Sequence, residues 1–332
     1  MRKRKVAIIA GVAMAAMLTA GCTAADTGPT GAPSGDEAWT PSGPIKLIVP
    51  YGAGGSTDTI GRLLADKMED ILKVPVVVEN VPGGVGAVGV QQVYNAKADG
   101  QTLVMASGSI QTIVPHTTDL GYDPYDMTFV ASTHESVAAR FVPSSKPWKT
   151  IEELVDYGKD PKNTLIDVTS GGFGLPDIGT KLLSAAVGGL NYRPLATDGG
   201  AESVLRLLAG DADMGQNSAS TTMQYVESGE LRPLLIESAS WPELEKLGVP
   251  KSSDLYGYTI VNPSSILAPP GLPENIRSVL ENAVKVALDD QAVFDKMAAT
   301  HELVRFKTGE EARSYAKQGY DLYGPIIKEV LG

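Results

Sequence analysis

Two glycine-rich segments constrain the fold of this chain more than any other feature. Tyr51–Asp58 (YGAGGSTD) and Pro82–Gly89 (PGGVGAVG) each separate a short apolar run from a segment with helical spacing of apolar residues. Glycine lets the backbone turn sharply and approach a ligand without a Cβ in the way. Repeated strand–loop–helix units of this kind predict right-handed βαβ crossovers in a mostly parallel sheet.

The alternation of strand and helix patterns continues along the chain. Ile45–Pro50 and Thr102–Ala106 predict strands, and the spacing of apolar residues over Ile60–Leu72 predicts an amphipathic helix between them. A second set of units begins with strands at Phe129–Ala131 and Ala139–Val142, followed by a strand at Leu165–Val168. Because 332 residues exceed what one hydrophobic core usually organises, we expect two compact domains.

The first residues have the layout of a secretory signal peptide. Four cationic residues precede an apolar run of about fifteen residues, which is short for a membrane-spanning helix of ~20. The run ends in Leu18–Cys22 (LTAGC), which resembles a bacterial lipobox and contains the only cysteine of the chain. We therefore expect residues 1–21 to be removed, Cys22 to carry lipid, and residues 22–43 to form a flexible tether. An uncleaved membrane anchor is the alternative.

Composition disfavours several classes of function. The formal net charge of −11 argues against nucleic-acid binding, which needs clustered Lys and Arg. A single cysteine excludes internal disulfides and Cys-based zinc sites, and three scattered histidines (His116, His134, His301) disfavour a histidine metal site. We expect neither a metal nor a cofactor.

The two loops have the chemistry of an anion site. The helix after each loop offers unpaired N–H groups and a positive dipole end, and parallel strands bring such loops to one edge of the sheet. Ser56 and Thr57 add hydroxyl donors. Asp58 would repel an anion, so it is interpreted as a helix N-cap that shapes the loop or holds water. Thr169–Gly172 repeats this chemistry in the second half.

A nucleotide-dependent enzyme is the alternative that these loops suggest. Gly84–Gly89 matches the dinucleotide fingerprint G-x-G-x-x-G, but the next strand ends at Ala106–Ser109 and no acid follows before Asp119. Neither loop has the Gly-Lys-Ser/Thr of a P-loop, and the chain has no G-x-S-x-G elbow. No catalytic residue is assigned, although a Ser–His–acid arrangement is spatial and stays open. Arg140, within an apolar stretch, is either a water-exposed strand end or a cation aimed at a ligand carboxylate.

The order and spacing of several motifs resemble a known family. Ile48–Asp58 (IVPYGAGGSTD), Val77–Gly86 (VVENVPGGVG) and Ala98–Leu103 (ADGQTL) occur in succession, and shorter fragments continue to Ala268–Gly271 (APPG). Over nearly all of residues 44–332 the chain resembles the substrate-binding proteins of tripartite tricarboxylate transporters, the Bug receptor family. The resemblance implies a two-lobed α/β periplasmic-binding-protein (type II) fold, not an enzyme. Each lobe would have a mostly parallel sheet flanked by helices, with a ligand cleft between lobes.

The resemblance also implies the lobes and the binding residues. Residues 44–141 with 241–332 would form the first lobe and residues 142–240 the second. One ligand carboxylate would be held by the two glycine-rich loops, and the second lobe would contribute loops after its strands. The expected ligand-binding residues are Tyr51, Gly54, Gly55, Ser56, Thr57, Asp58, Gly84, Val85, Gly86, Ser107, Thr169, Ser170, Gly172, Asp198 and Gly199.

Departures from the family pattern leave the ligand open. Asp198 stands where the family often has a cation, and Val81 where it often has Arg. The far end of the ligand is therefore expected to be less anionic, or to carry a hydroxyl or an amine. The expected function is a monomeric, lipid-anchored, extracytoplasmic receptor that delivers a small organic acid to membrane permease subunits. A ligand-sensing lipoprotein with a signalling partner is the other possibility.

Overall fold

The computed structural model describes residues 39–170, 174–197 and 200–331. The predicted signal peptide, Cys22 and most of the predicted tether lie outside these ranges, as do three of the expected site residues, Gly172, Asp198 and Gly199. Every helix within the ranges is too short or too polar to span a lipid bilayer.

The described residues form strands that assemble into two separate sheets. In chain order the strands are β1 (Ile45–Val49), β2 (Val76–Asn80), β3 (Thr102–Ala106), β4 (Thr128–Glu135), β5 (Ala138–Pro143), β6 (Leu165–Ser170), β7 (Tyr192–Thr197), β8 (Met214–Ser218), β9 (Leu231–Ile236), β10 (Pro263–Ala268) and β11 (Leu303–Thr308). The first sheet has the order β11-β4-β10-β3-β1-β2 and the second the order β7-β6-β8-β5-β9.

Both sheets are mixed, but most strands of each run in one direction, as the prediction of mostly parallel sheets expected: β1 to β4 in the first sheet and β6 to β9 in the second. In the first sheet β1 pairs in parallel with β2 and β3, whereas β10 runs antiparallel to β3 and β4, and β11 antiparallel to β4. In the second sheet β6 is parallel to β7 and β8, whereas β5 runs against β8 and β9. The reversed strands β5 and β10 are the ones that bring the chain into each sheet from the other.

Helices cover the sheets. They are α1 (Ser56–Leu72), α2 (Ala87–Tyr94), α3 (Gly108–Thr112), α4 (Val114–Thr117), α5 (Ile151–Lys159), α6 (Leu175–Ala186), α7 (Gly200–Leu208), α8 (Ala219–Glu227), α9 (Pro242–Lys246), α10 (Ser252–Tyr256), α11 (Glu274–Asp289), α12 (Gln291–Ala298) and α13 (Gly309–Leu331). Short 3-10 helices span Gly84–Gly86 and Pro124–Asp126.

The first sheet is buried on both faces, because its side chains alternate between two apolar clusters. Leu47 and Met105 pack on one face with α1, α11 and α12, and Ile48 and Val104 pack on the other with α2, α3 and α13. Successive residues of a strand point to opposite faces, so a strand that is apolar throughout needs cover on both sides. This explains why β1 and β3 read as continuous apolar runs.

Two connections join the sheets. Ser136 and Val137 lie between β4 and β5, and a longer segment from Glu237 to Asn262 lies between β9 and β10. The second sheet therefore begins at Ala138, before the lobe boundary expected at residue 142, because β5 pairs along its whole length with β8 and β9. The chain after residue 240 also stays with this sheet, since Trp241 packs into its core.

Arg140 neither reaches water nor points at a ligand site. Its side chain is 0% exposed and forms ion pairs with Asp167 at 3.3 Å and Glu237 at 3.1 Å, and it donates to Thr180 Oγ1 at 2.9 Å. Tyr258 donates to Glu237 at 2.7 Å. Burial raises the pKa of Asp167, although the charge of Arg140 and the Thr180 hydroxyl favour the carboxylate. Both readings from sequence are corrected by this buried ion network.

We expect Arg140→Ala to lower the free energy of unfolding by about 3–5 kcal/mol, because it leaves two carboxylates buried without their cation. Urea denaturation monitored by circular dichroism measures the loss. Arg206→Ala is the matched control, since Arg206 forms its ion pairs with Glu202 and Asp211 at the surface and should cost much less. Equal losses for the two variants would contradict a structural role of the buried network.

Candidate functional site

Three loops of the first sheet meet at its carboxyl edge. The Tyr51 hydroxyl lies 2.5 Å from Ser107 Oγ, which lies 3.2 Å from Ser109 Oγ. Asn80, at the end of β2, donates to the Tyr51 carbonyl at 3.0 Å. Burial raises the pKa of Tyr51, against the hydrogen bonds of the two serines, so the hydroxyl stays protonated. The structure thus brings together Tyr51 and Ser107, two of the expected site residues.

Asp58 braces the first loop from within helix α1. The helix begins at Ser56, so Asp58 lies in its first turn and is not the N-cap that the sequence predicted. Its carboxylate accepts hydrogen bonds from the Gly54 N–H at 2.9 Å, from Asn80 Nδ2 at 2.9 Å and from Arg62 Nη2 at 2.8 Å. The side chain is almost fully buried and fixes the loop against the second strand.

The second loop is held in an uncommon backbone conformation. Within the 3-10 turn Gly84–Gly86, Val85 has φ 53° and ψ 33°, in the left-handed region that β-branched residues rarely adopt. Its side chain is 68% exposed at the tip of the loop. Gly86 has φ 95°, and a methyl group on it would overlap Ile110 and come within 3.4 Å of the Tyr51 hydroxyl. Only glycine therefore fits at position 86, where the second glycine-rich loop lies against Tyr51 of the first loop.

A buried carboxylate connects the first loop to the crossing between the sheets. Glu302, 8% exposed, accepts hydrogen bonds from Ser56 Oγ at 3.1 Å and from Ser136 Oγ at 2.7 Å. Ser136 lies in the first crossing, and its N–H donates to the carbonyl of Asn262 in the second crossing at 3.2 Å. The first predicted binding hydroxyl is therefore linked to both connections between the sheets.

The second sheet presents its own carboxyl edge. Thr169 is the penultimate residue of β6 and Thr197 the last residue of β7, and the Thr197 hydroxyl donates to the Thr169 carbonyl at 2.8 Å. After the undescribed Gly171–Phe173, the Gly174 N–H donates to Asp177 at the start of α6 at 3.0 Å. Ser170 is the last residue of β6.

Strand registers bring the two carboxyl edges toward each other. Glu135, the last residue of β4, pairs with Pro263 at the start of β10. Ala138, the first residue of β5, pairs with Ser218 at the end of β8. Because only Ser136 and Val137 separate these strands, the carboxyl edges of both sheets lie at the crossings. Those expected site residues that the structure describes therefore lie at or next to the two edges that adjoin the connection.

The loops at these edges carry neutral donors and no cations. Their donors are backbone N–H groups, the hydroxyls of Ser, Thr and Tyr, and the Asn217 amide, and Asp58, Asp198 and Glu202 add carboxylates. The segments without Lys, Arg or His are residues 50–58, 81–87, 106–109, 169–175, 197–202 and 217–222. Among the described residues, no three His, Cys, Asp or Glu side chains are grouped so that they could hold a metal ion.

Sequence reasoning missed the residues that support the loops. Arg62 lies four residues after Asp58, and this helical spacing could have revealed their pairing. Ser109 lies two residues after Ser107, which the sequence had already indicated as a site residue. Glu302 and Ser136 gave no signal, because they lie far from Ser56 in the sequence and meet it only through the fold.

Comparisons with known proteins agree with this geometry. The model of the family described as tripartite tricarboxylate transporter family receptor, TctC, matches residues 60–331. The "UPF0065 protein in gbd 5'region" of Cupriavidus necator is 31% identical over 254 residues, which cover 75% of this chain and 76% of the relative.

Solved structures show the same fold. A TctC solute binding protein from Polaromonas, crystallised without ligand, has a TM-score of 0.79 and 26% identity, covering 87% of this chain and 99% of that chain. The R. palustris protein Rpa4515 with adipate has a TM-score of 0.70 and 22% identity, covering 87% of this chain and 97% of that chain. The expected two-lobed α/β binding-protein fold is confirmed.

Asp58→Asn should lower the free energy of unfolding at pH 7 by about 1–3 kcal/mol, because hydrogen bonds to a buried carboxylate are lost. Burial by itself raises the pKa of Asp58, but hydrogen bonds from Arg62, the Gly54 N–H and Asn80, with the charge of Arg62, hold it below its usual range. The carboxylate thus contributes stability above its unfolded pKa of about 3.9, and this is lost as the pH falls through the folded pKa.

Denaturation of both proteins between pH 7 and pH 3 measures this dependence. The difference in unfolding free energy between wild type and Asp58→Asn should be constant above about pH 5 and shrink below about pH 4. A difference that stays constant throughout would mean that the charge of Asp58 does not stabilise the loop.

Proposed function

The chain belongs to the tripartite tricarboxylate transporter receptor family, and we propose that it captures a carboxylate-containing small molecule and delivers it to a membrane permease. The observation that carries this proposal is the set of hydroxyl and backbone donors at the two carboxyl edges beside the crossings. Ligands of open α/β folds bind outside the carboxyl ends of the strands. The relative Rpa4515 was solved with adipate, a dicarboxylate.

In the proposed complex, the first lobe holds one carboxylate of the ligand. The start of α1 supplies N–H groups and its positive dipole end, with the hydroxyls of Ser56 and Thr57 beside them. No atom outside the loop lies within 4 Å of a Cβ built on Gly54 or Gly55, so the space above this backbone is open. Gly84, Val85 and Gly86 form the neighbouring wall, and the Tyr51–Ser107 pair lies between the two loops.

The second lobe would close on the far end of the ligand. Thr169, Ser170, Gly172, Asp198 and Gly199 are the residues proposed to contact it there. A ligand that touches both lobes only when they are together shifts the equilibrium toward the closed form. Asp198 favours a far end that is uncharged, hydroxylated or cationic over a second carboxylate.

We further propose that the receptor is extracytoplasmic, monomeric and attached to the membrane through lipid on Cys22. The lipobox-like sequence and the tether before the folded body support this. The lobe assignment we propose follows the sheets, with the first lobe formed by the strands before Ser136 and after Asn262. A sensing role would use the same binding reaction, and loss of ligand uptake on deletion of the gene would distinguish transport from sensing.

A thermal-shift panel of adipate, malate, citrate, benzoate and alanine, with ATP as the nucleotide probe, tests the receptor function. We expect at least one carboxylate to raise the Tm by several degrees, because a ligand that binds only the folded state at 100 times its Kd stabilises it by about 2.7 kcal/mol. Stabilisation by ATP and by none of the carboxylates would contradict the proposal.

Replacement of both loop hydroxyls tests the proposed site. The double variant Ser56→Ala, Thr57→Ala should weaken binding of the stabilising carboxylate about tenfold or more, because hydrogen bonds to a charged group are lost. Isothermal titration calorimetry measures the affinity. Thr59→Ala, on the exposed side of the same helix, is the matched control and should bind as wild type does. Unchanged affinity of the double variant would mean that the first loop is only structural.

A further inference from the structure

Glu302 is a buried acid that contacts the proposed site through a hydrogen bond from Ser56. It lies between Ser56, the first residue of α1, and Ser136, in the first crossing, and each serine hydroxyl donates to a different oxygen of its carboxylate. The preceding residue, His301, has φ 59°, in the left-handed region that non-glycine residues seldom occupy. The chain thus adopts an uncommon conformation directly before the residue that reaches both serines.

The count of protons at Ser56 sets a constraint on ligand binding. A serine hydroxyl has one proton to donate. While Glu302 is ionised, Ser56 gives that proton to Oε1 and cannot donate it to an arriving ligand carboxylate. Protonated Glu302 donates to Ser56 Oγ instead, and the Ser56 hydroxyl then turns its proton to the ligand. Ser136 continues to donate to Oε2, so every donor keeps an acceptor.

We propose that Glu302 is a positioning residue that takes up one proton when the ligand carboxylate binds, and so converts Ser56 from a donor to Glu302 into a donor to the ligand. This inference rests on the proposed function, since it places the carboxylate at the start of α1. The proton comes from solvent and no covalent bond to carbon changes. Uptake of a proton with the ligand carboxylate leaves the net charge of the site unchanged.

The surroundings of Glu302 agree with this role. Burial raises the pKa of Glu302 above its ordinary value, although the hydroxyls of Ser136 and Ser56 favour the ionised form. A ligand carboxylate close to Ser56 would raise it further, because like charges disfavour ionisation. The titratable or charged groups near it are His301 in the chain, Asp58 and Arg62 in the first turns of α1, and Glu135 with its partners Arg305 and Tyr315. The buried His134 of β4 and Lys307 of β11 lie on the strands that adjoin Glu302.

Those neighbouring groups are engaged elsewhere. Arg62 pairs with Asp58 at 2.8 Å, and Arg305 pairs with Glu135 at 3.2 Å. Tyr315 donates to the other oxygen of Glu135 at 2.5 Å. Glu135 and Glu302 therefore differ: Glu135 has a cation as partner, whereas Glu302 accepts hydrogen bonds from two serine hydroxyls.

Calorimetry with adipate, malate, citrate, benzoate and alanine tests the proposal on the full folded chain. Each titration is run in two buffers of different ionisation enthalpy between pH 6 and pH 9, which gives the number of protons taken up. We expect wild-type protein to take up a proton with the carboxylate that binds. Its affinity should fall up to about tenfold per pH unit in the range between the free and bound pKa of Glu302.

Three variants distinguish a positioning role of Glu302 from a purely structural role. Glu302→Gln carries an amide that donates to one serine and accepts from the other, so it should lose proton uptake and bind more tightly than wild type at high pH. Ser56→Ala should also lose proton uptake. Glu135→Gln, a buried carboxyl at the same edge without contact to Ser56, is the matched control and should retain it.

The outcomes distinguish this inference from the proposed function. Binding of a probe without proton uptake, or equal uptake by wild type and Glu302→Gln, would overturn the role of Glu302 and leave the receptor function standing. Binding of none of the probes by wild type would overturn the receptor function and this inference with it.

Discussion

The structure depends on the direction in which the chain crosses between its two sheets. β4 ends at the carboxyl edge of the first sheet, and only two residues later β5 starts. A strand that enters at the carboxyl edge of parallel neighbours must run against them, as β5 does beside β8. β10 returns in the same manner. This reversal makes both sheets mixed, and it places the loop-bearing edges of both sheets beside the crossings, where one ligand could reach both.

Electrostatics explains why the site is built from neutral donors. A chain with a net charge of −11 gives an anion no long-range attraction, so capture depends on local groups. The acids close to the loops are kept from repelling an anion in two ways. Asp58 pairs with Arg62 and accepts hydrogen bonds from the Gly54 N–H and Asn80, and burial raises the pKa of Glu302, which disfavours its charged form. Pairing of Asp58 and burial of Glu302 thus reduce the repulsion that an anion would meet at loops that carry no cations.

Local patterns in the sequence predicted the local structure, but they could not predict contacts between residues far apart in the chain. The strand–glycine–helix pattern located β1, α1 and the second loop, because turn chemistry and periodicity act within a few residues. β7 was missed because it contains Pro194 and is largely exposed at a sheet edge, so it has no apolar run. Arg140 was misread because its two carboxylate partners come from distant segments. Glu302 was missed for the same reason: a side chain that acts through the fold leaves no local pattern.

Closure of the lobes, which the proposed function requires, is limited by the C-terminal helix. Tyr323 and Ile327 of α13 share an apolar cluster with Ile178 of α6, so a helix that packs on the first sheet also contacts a helix that packs on the second. The Tyr323 hydroxyl also accepts from the Val261 N–H and donates to its carbonyl, which fixes the second crossing to α13. A closure that rotates the sheets about the crossings would therefore have to move α6 against α13. Glu302 accepts a hydrogen bond from Ser136 in the other crossing and thus connects the proposed carboxylate site to the segment about which such a rotation would occur.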